Sequence, residues 1–538
     1  MRAAVWQGVG VILATVHGRP RGAAPLLTAL LALVLVASVL WAPPAQAATR
    51  KLQASGGGTI TASTSKTLKV RYVRSGQPVR GATVTLQRKK GSSWVKVRTV
   101  RTGKKGGASV SVSPRTTTTY RFRTGRARSA GVTVRVVPAR FAITGSGSGH
   151  GVGLSQWGAY EQSRRGRTAA QILGYYYPGA VVSEANDPRT TLDVQVLGPP
   201  ADTRTSTVLA VGSGRWRLRD TAGSVVASGG PQQRVTVATT SNGVSATVRQ
   251  DGRTVAGVGT RSRFTFEWTG TRDHSPTGTR AVATVTGAQG TYRHGSLVVS
   301  KRSGRVNVVN RVVINTEYLY GIDEMPSGWG SATNRGAAAL QAQVVAARNY
   351  AIVEKVRGLK STCGCHVYDD TRSQHYVGWR KQGGSWGSAW VAAVDATVHD
   401  GTVTVLRDAS GGFAETPYFA STGAAGGRRG TATNAEAFGT TALPYLRHVP
   451  DSYAASAPGN PYLRWTDSIT QAQARRIFGL SSVRSVAVTA RWSGGQVRTL
   501  TATSATGTKV SRTRTAEGWR TTLGLRGGWV SSFAGRTS

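Results

Sequence analysis

Only one stretch of this 538-residue chain, residues 335–356, carries a strong helical pattern. Within it Ala338, Val344, Val345, Ala347, Ala351 and Ile352 recur at roughly helical spacing, which predicts a helix packed on the core with Gln341 and Arg348 off its apolar face. Asn334 is its expected N-cap, and Thr316 that of a shorter helix over residues 317–322. Most of the remaining chain runs in short segments rich in Thr and Val, broken by turns drawn from its 68 glycines. That texture builds strands and tight turns. The expected fold is therefore α+β and strand-dominated, with a few helices. At this length a single core is too small a solution, and two to four domains are expected.

Residues 48–138 read as an all-β, Ig-like sandwich, with alternating runs at 67–73, 82–87, 94–100, 108–112, 119–123 and 132–137 and Pro138 as its close. After Phe141 the glycine-rich "GSGSGHGVGLSQWGA" leads into a helical segment, 159–174, ended by "YYYPGA". Residues 190–314 are strand-like, with turn pairs Asn242-Gly243 and Asp251-Gly252. A last block pairs a short helix, 471–478, with three or four strands. The divisions are 1–47, 48–138, a main α+β domain at 139–455, and an α+β extension of it at 456–538.

Residues 1–47 have the marks of an export signal. Arg2, Arg19 and Arg21 precede an apolar run at 23–42, which Pro43 and Pro44 end, and Ala45-Gln46-Ala47 is a small-x-small cleavage site. The run is near the length that spans a bilayer, so an uncleaved anchor is the competing reading. Either way the rest of the chain is expected outside the cytoplasmic membrane, at the cell surface or in the wall.

Lys and Arg number 69 against 23 Asp and Glu, a net charge of +46. No acidic residue precedes Glu161, while residues 48–140 hold 22 of the basic ones. A module so biased attracts polyanions without reading their sequence, or else is simply a solvated surface. Outside a cell the polyanions at hand are anionic wall polymers rather than nucleic acid. Two cysteines, Cys363 and Cys365, rule out a disulfide-scaffolded fold.

Four segments resemble the SpoIID/LytB family: "GSGHGVGLSQWGAYEQSRRGRTAAQILGYYYPGA" at 147–180, "NVVNRVVINTEYLYGIDEMPSGW" at 307–329, "VYDDTRSQHYVGW" at 367–379 and "TPYFASTG" at 416–423. The C-terminal "GLRGGWVSSF" resembles the close of longer members. The resemblance covers roughly 141–534. It implies either a lytic transglycosylase acting on peptidoglycan glycan strands or a non-catalytic modifier of an N-acetylmuramoyl-alanine amidase. This chain departs from the family in three ways. Its Gly-His-Gly motif comes before the Glu-Met-Pro motif, Asp323 stands where a small residue is usual, and "YFASTGAAGG" lacks a histidine.

The resemblance points to Glu324 as the acid/base. A lytic transglycosylase uses the sugar's own 6-hydroxyl as nucleophile, so one carboxyl suffices where a hydrolase needs two. Ile322, Met325 and Trp329 lie close by in sequence, and an apolar surround raises a carboxyl pKa towards neutrality. Asp323 is expected to be a structural neighbour. His150, Ser155, Gln156, Trp157, Gln374, Tyr376, Tyr418, Ser421 and Thr422 are candidate groove lining. Arg348 pairs with a substrate carboxylate, with Glu324, or within a buried ion pair. Cys363, Cys365, His366 and His375 offer a structural zinc site, ranked below a disulfide or free thiols because Cys-x-Cys is not the usual zinc spacing. The chemistry itself requires no cofactor.

Overall fold

The computed structural model describes residues 48–186, 190–424 and 429–537. The expected export signal and the expected cleavage site fall on residues 1–47, outside the described residues.

The basic N-terminal module is built from two sheets. Arg50–Ser55, Lys66–Arg74, Gln77–Pro78 and Gly107–Val112 form one; Gly58–Thr61, Val132–Val137, Thr118–Thr124, Thr83–Lys90, Ser93–Arg101 and Ala127–Arg128 form the other. In Lys66–Arg74 the residues Leu68, Val70 and Tyr72 point inward while lysine and arginine alternate outward. Leu68 and Val70 of one sheet share a core with Val84, Leu86, Phe122 and Val134 of the other. Each run expected from the sequence overlaps a strand, and the alternation that buries one face puts the charge on the other.

The central body pairs two larger sheets. The seven-stranded one runs Val225–Gly229, Trp216–Arg219, Arg263–Trp268, Ser296–Arg302, Arg305–Val313, Thr191–Leu197, Val367–Tyr368. The six-stranded one runs Arg253–Arg261, Val244–Gln250, Gln233–Thr239, Ser206–Val211, Ala283–Val285, Thr291–Tyr292. Leu209 and Val235 from the second pack with Trp216 and Phe266 from the first in one core. Asp251 and Gly252 both take positive φ, 49° and 79°, as a two-residue hairpin turn requires.

The helices cover this body. The single helix expected at 159–174 is two, α1 (Gln156–Arg164) and α2 (Ala169–Tyr176). Gly166 breaks between them at φ 84°, and Thr168 starts the second with a capping box to Gln171. The long helix α3 (Ala337–Arg357) begins at Gly336. Asn334 is not its cap; its side-chain amide donates to Gly328 O at 2.8 Å. Nor does Thr316 cap a helix, since it lies inside a π-turn, Ile314–Tyr318. Arg348 is not off the packed face of α3 but fully buried. Helices α1, α2, a later helix α5 (Gly387–Asp395) and the strand Thr402–Arg407 surround α3. Between α3 and α5 lies a short helix, α4 (Trp379–Gln382).

Arg140–Ser146 pairs with Trp465–Thr470 on one side and Trp529–Arg536 on the other. Phe141 and Ile143 therefore sit in the C-terminal core with Trp465, Phe478 and Trp519. The helix expected at 471–478 is present as Gln471–Phe478. A second, Ala516–Leu523, was not anticipated.

Candidate active site around Glu324

The strand Arg305–Val313 runs into the π-turn and then into a bend at Gly321. A side chain at Gly321 would lie 2.4 Å from the Tyr376 ring and 2.7 Å from Gly378 Cα, so only glycine lets the segments 321–324 and 375–378 meet. There Asp323 N donates to His375 O at 2.7 Å, and His375 N donates to Glu324 Oε1 at 2.7 Å. The second segment arrives from Val367–Tyr368, parallel to Thr191–Leu197.

Glu324 is half-buried. Burial raises its pKa above the ordinary carboxylate range, opposed by the His375 amide and the Tyr418 hydroxyl, which favour the charged form. Tyr318 Oη donates to Gln374 Oε1 at 2.8 Å, and Gln374 Nε2 donates to Tyr418 Oη at 2.8 Å. With its oxygen engaged by Gln374, Tyr418 turns its own proton to Glu324.

The backbone beneath the carboxyl is also held. Gln156 Nε2 donates to Glu324 O at 3.0 Å and to Gln343 Oε1 at 3.2 Å. Lys381 on α4 is buried and donates to Asp323 Oδ1 at 2.8 Å and Met325 O at 2.5 Å. Asp323 thus turns to Lys381, leaving Glu324 without a carboxylate partner. Met325, Ile322 and Trp329, its close neighbours in sequence, are buried.

Of the candidates from sequence, Gln156, Gln374 and Tyr418 converge on Glu324. Tyr376 is fully buried, stacked on Tyr318 and Tyr292, and donates to Asn310 Oδ1 at 2.7 Å. Trp157 is half-buried with its ring edge-on to Trp329. His150 sits beside Phe419 and Phe438, accepts from Val152 N at 3.1 Å, and is hydrogen-bonded to the Tyr418 backbone. Burial pushes its pKa down to about 4, so it is a neutral support for the Tyr418 strand.

Six expectations of substrate contact are corrected, beginning with Gln374 and Tyr376, which are fully buried. Ser155 is buried, caps α1 and bonds Asp451. Ser421 accepts from Asn460 Nδ2 at 2.9 Å, and Thr422 donates to Asp451 Oδ2 at 2.9 Å; both are in the interior. Arg348 donates to Asn315 Oδ1 and Thr397 Oγ1 at 2.9 Å and to Thr404 O at 2.8 Å. These side chains are spent on interior hydrogen bonds and have no surface to offer a groove.

Cys363 and Cys365 are joined by a disulfide. Metal ligation needs thiolates, His366 Nδ1 accepts from Asp193 N at 3.0 Å, and His375 Nδ1 faces Asp323 O at 3.1 Å. Among the described residues no three His, Cys, Asp or Glu side chains are gathered to hold a metal ion. The Cys/His set does not fit zinc.

Sequence reasoning missed Lys381, Tyr318 and Tyr350. Tyr350, on α3, interacts electrostatically with Glu324, and its pKa is pushed up to about 12, chiefly by burial. No local pattern distinguishes these from ordinary helix and strand residues.

Residues 302–403, which include Glu324, match the family model SpoIID, stage II sporulation protein. Stage II sporulation protein D of Bacillus subtilis is 48% identical over 44 residues, 8% of this chain and 13% of that one. The amidase enhancer of Bacillus subtilis is 39% identical over 56 residues, 10% of this chain and 8% of that one. An uncharacterized protein of Brachyspira hyodysenteriae is 37% identical over 70 residues, 13% and 19% respectively. The chain spans less than a fifth of the length of each of these relatives, and carries a SpoIID domain at residues 302–403. Among the described residues no helix is long and apolar enough to cross a membrane.

Proposed function

We propose that this chain is an exported cell-wall enzyme that cleaves peptidoglycan glycan strands as a lytic transglycosylase, with Glu324 as both acid and base. The observation that carries the reading is a single half-buried carboxyl whose protonated form is favoured by burial, while its neighbour Asp323 is paired to Lys381. In its neutral form Glu324 gives its proton to the glycosidic oxygen as that bond breaks. The resulting carboxylate, steadied by the His375 amide and Tyr418, takes the proton of the 6-hydroxyl as that oxygen bonds to C1. The product is a 1,6-anhydro-MurNAc end, formed without water or a second carboxylate. The basic N-terminal module would hold the enzyme on anionic wall polymers by a salt-sensitive attraction.

A second reading, a modifier of an N-acetylmuramoyl-alanine amidase, is favoured by the likeness to the amidase enhancer. The two separate on incubation with peptide-free glycan strands and mass spectrometry of the products. Anhydro ends from the wild type and none from Glu324→Gln support the enzyme. No anhydro ends from either, with acceleration of an added amidase, overturns it.

A further inference from the structure

Trp386 stands apart from the other described tryptophans. It is 60% exposed, the one tryptophan among the exposed large apolar residues of the described chain. Its backbone lies in the left-handed region, φ 61° and ψ 15°, which bulky side chains seldom adopt and which persists only where neighbours impose it. Here they do. Gly387 N donates to Gly384 O at 2.9 Å and Ala389 N to Trp386 O at 3.0 Å. Gly387 cannot accept a side chain, because a Cβ would lie 2.1 Å from Gln382 O. The corner between α4 and α5 is thereby locked with the indole outward.

That corner is fastened to the Glu324 segment. Lys381 grips Asp323 and Met325 on either side of Glu324. Trp386 lies over Gly328, where a Cβ would stand 3.3 Å from indole Cδ1 and 3.6 Å from Cγ and Nε1. The next residue, Trp329, is turned inward and stacked on Tyr160 with ring centroids 4.3 Å apart. The inward aromatic fixes the turn, and the outward one leaves a rigid apolar face over Gly328, on the segment that carries Glu324. An exposed aromatic face held in a costly conformation on a corner fastened to the Glu324 segment suits a ligand with flat, partly apolar faces.

We infer that Trp386 is a stacking platform for a sugar ring of the glycan strand, flanking the bond presented to Glu324. This rests on the reading of the site as one that takes glycan. Trp386 would be a binding and positioning residue with no part in proton transfer.

The test is calorimetric titration of the full chain with a peptide-free GlcNAc–MurNAc hexasaccharide, using cellohexaose as a control. Trp386→Gly removes the ring at a φ that glycine adopts freely, so an unchanged melting temperature is expected. Trp386→Phe keeps an aromatic face. The expected result is roughly ten-fold weaker binding for Trp386→Gly, and a loss within roughly three-fold for Trp386→Phe. Equal binding by Trp386→Gly and wild type overturns the inference, as does a wild type that binds neither sugar. Binding through Trp386 without any anhydro product would keep this inference and remove the cleavage reading. Cleavage with binding indifferent to Trp386 would do the reverse.

Discussion

The backbone amide of His375 donates to Glu324 Oε1 at 2.7 Å, while His375 O accepts from Asp323 N at the same distance. Two segments fifty positions apart are thus clasped backbone to backbone, and only one side-chain oxygen takes part. A main-chain donor cannot rotate away, so the carboxyl keeps one aim in both its protonation states. Its proton affinity is raised by burial and lowered by that amide and by Tyr418.

Tyr418 therefore gives a handle on the pH profile. Cleavage should fall as pH rises through the raised pKa of Glu324, because the neutral acid is lost. Tyr418→Phe removes a donor that favours the carboxylate, so the pKa rises and the falling limb moves to higher pH. A displacement on the order of one pH unit is expected, worth about 1.4 kcal/mol. A limb that stays in place, or moves to lower pH, in the rate profile would show that Tyr418 does not bond the carboxyl.

Arg348 separates packing from substrate binding. Its guanidinium donates to Asn315, Thr397 and Thr404, so Arg348→Met strands buried acceptors and should cost about 2–4 kcal/mol of stability. Denaturant unfolding reads that loss. KM for glycan strands, measured on the fraction that folds, should stay at the wild-type value.

What was legible in the sequence follows from which patterns survive folding. Strands such as Lys66–Arg74 bury one face only, so alternation marks them. Helix α3 is enclosed on most sides, which erases the polar stripe that would have located Arg348. The motif that carries Glu324 stands out in the sequence because it is local. Lys381 was not, since a lysine in a short helix looks solvated until a carboxylate 58 positions earlier is folded against it. Ser421 and Thr422 lay in a matching motif, yet their hydroxyls go to Asn460 and Asp451, which the motif does not contain.

The disulfide offers a test of the metal assignment. Cys363 and Cys365 pack against Val309, and Asn307 Nδ2 donates to Cys363 O at 2.9 Å. So short a loop gains little from closure, and replacing both cysteines by serine should cost about 1–2 kcal/mol. Mass spectrometry should find the two thiols oxidised, and a chelator should leave the melting temperature of the wild type unchanged. A fall in melting temperature on chelation would restore zinc.

Asp369 predicts how stability varies with acidity. It is buried, lies near Asp370, and its pKa is pushed up to about 6, chiefly by burial. The unfolded chain gives up this proton near pH 4. Below that both states are protonated and Asp369 costs nothing. Between about pH 4 and 6 the folded state binds more protons than the unfolded one, so stability falls as pH rises. Above pH 6 the loss is complete, on the order of 2–3 kcal/mol. Asp369→Asn has no such proton to lose, so its stability relative to wild type should climb across pH 4–6 and then level off. Urea unfolding of both proteins at a series of pH values reads the slope directly, and parallel curves would mean that Asp369 ionises in the fold as easily as in water.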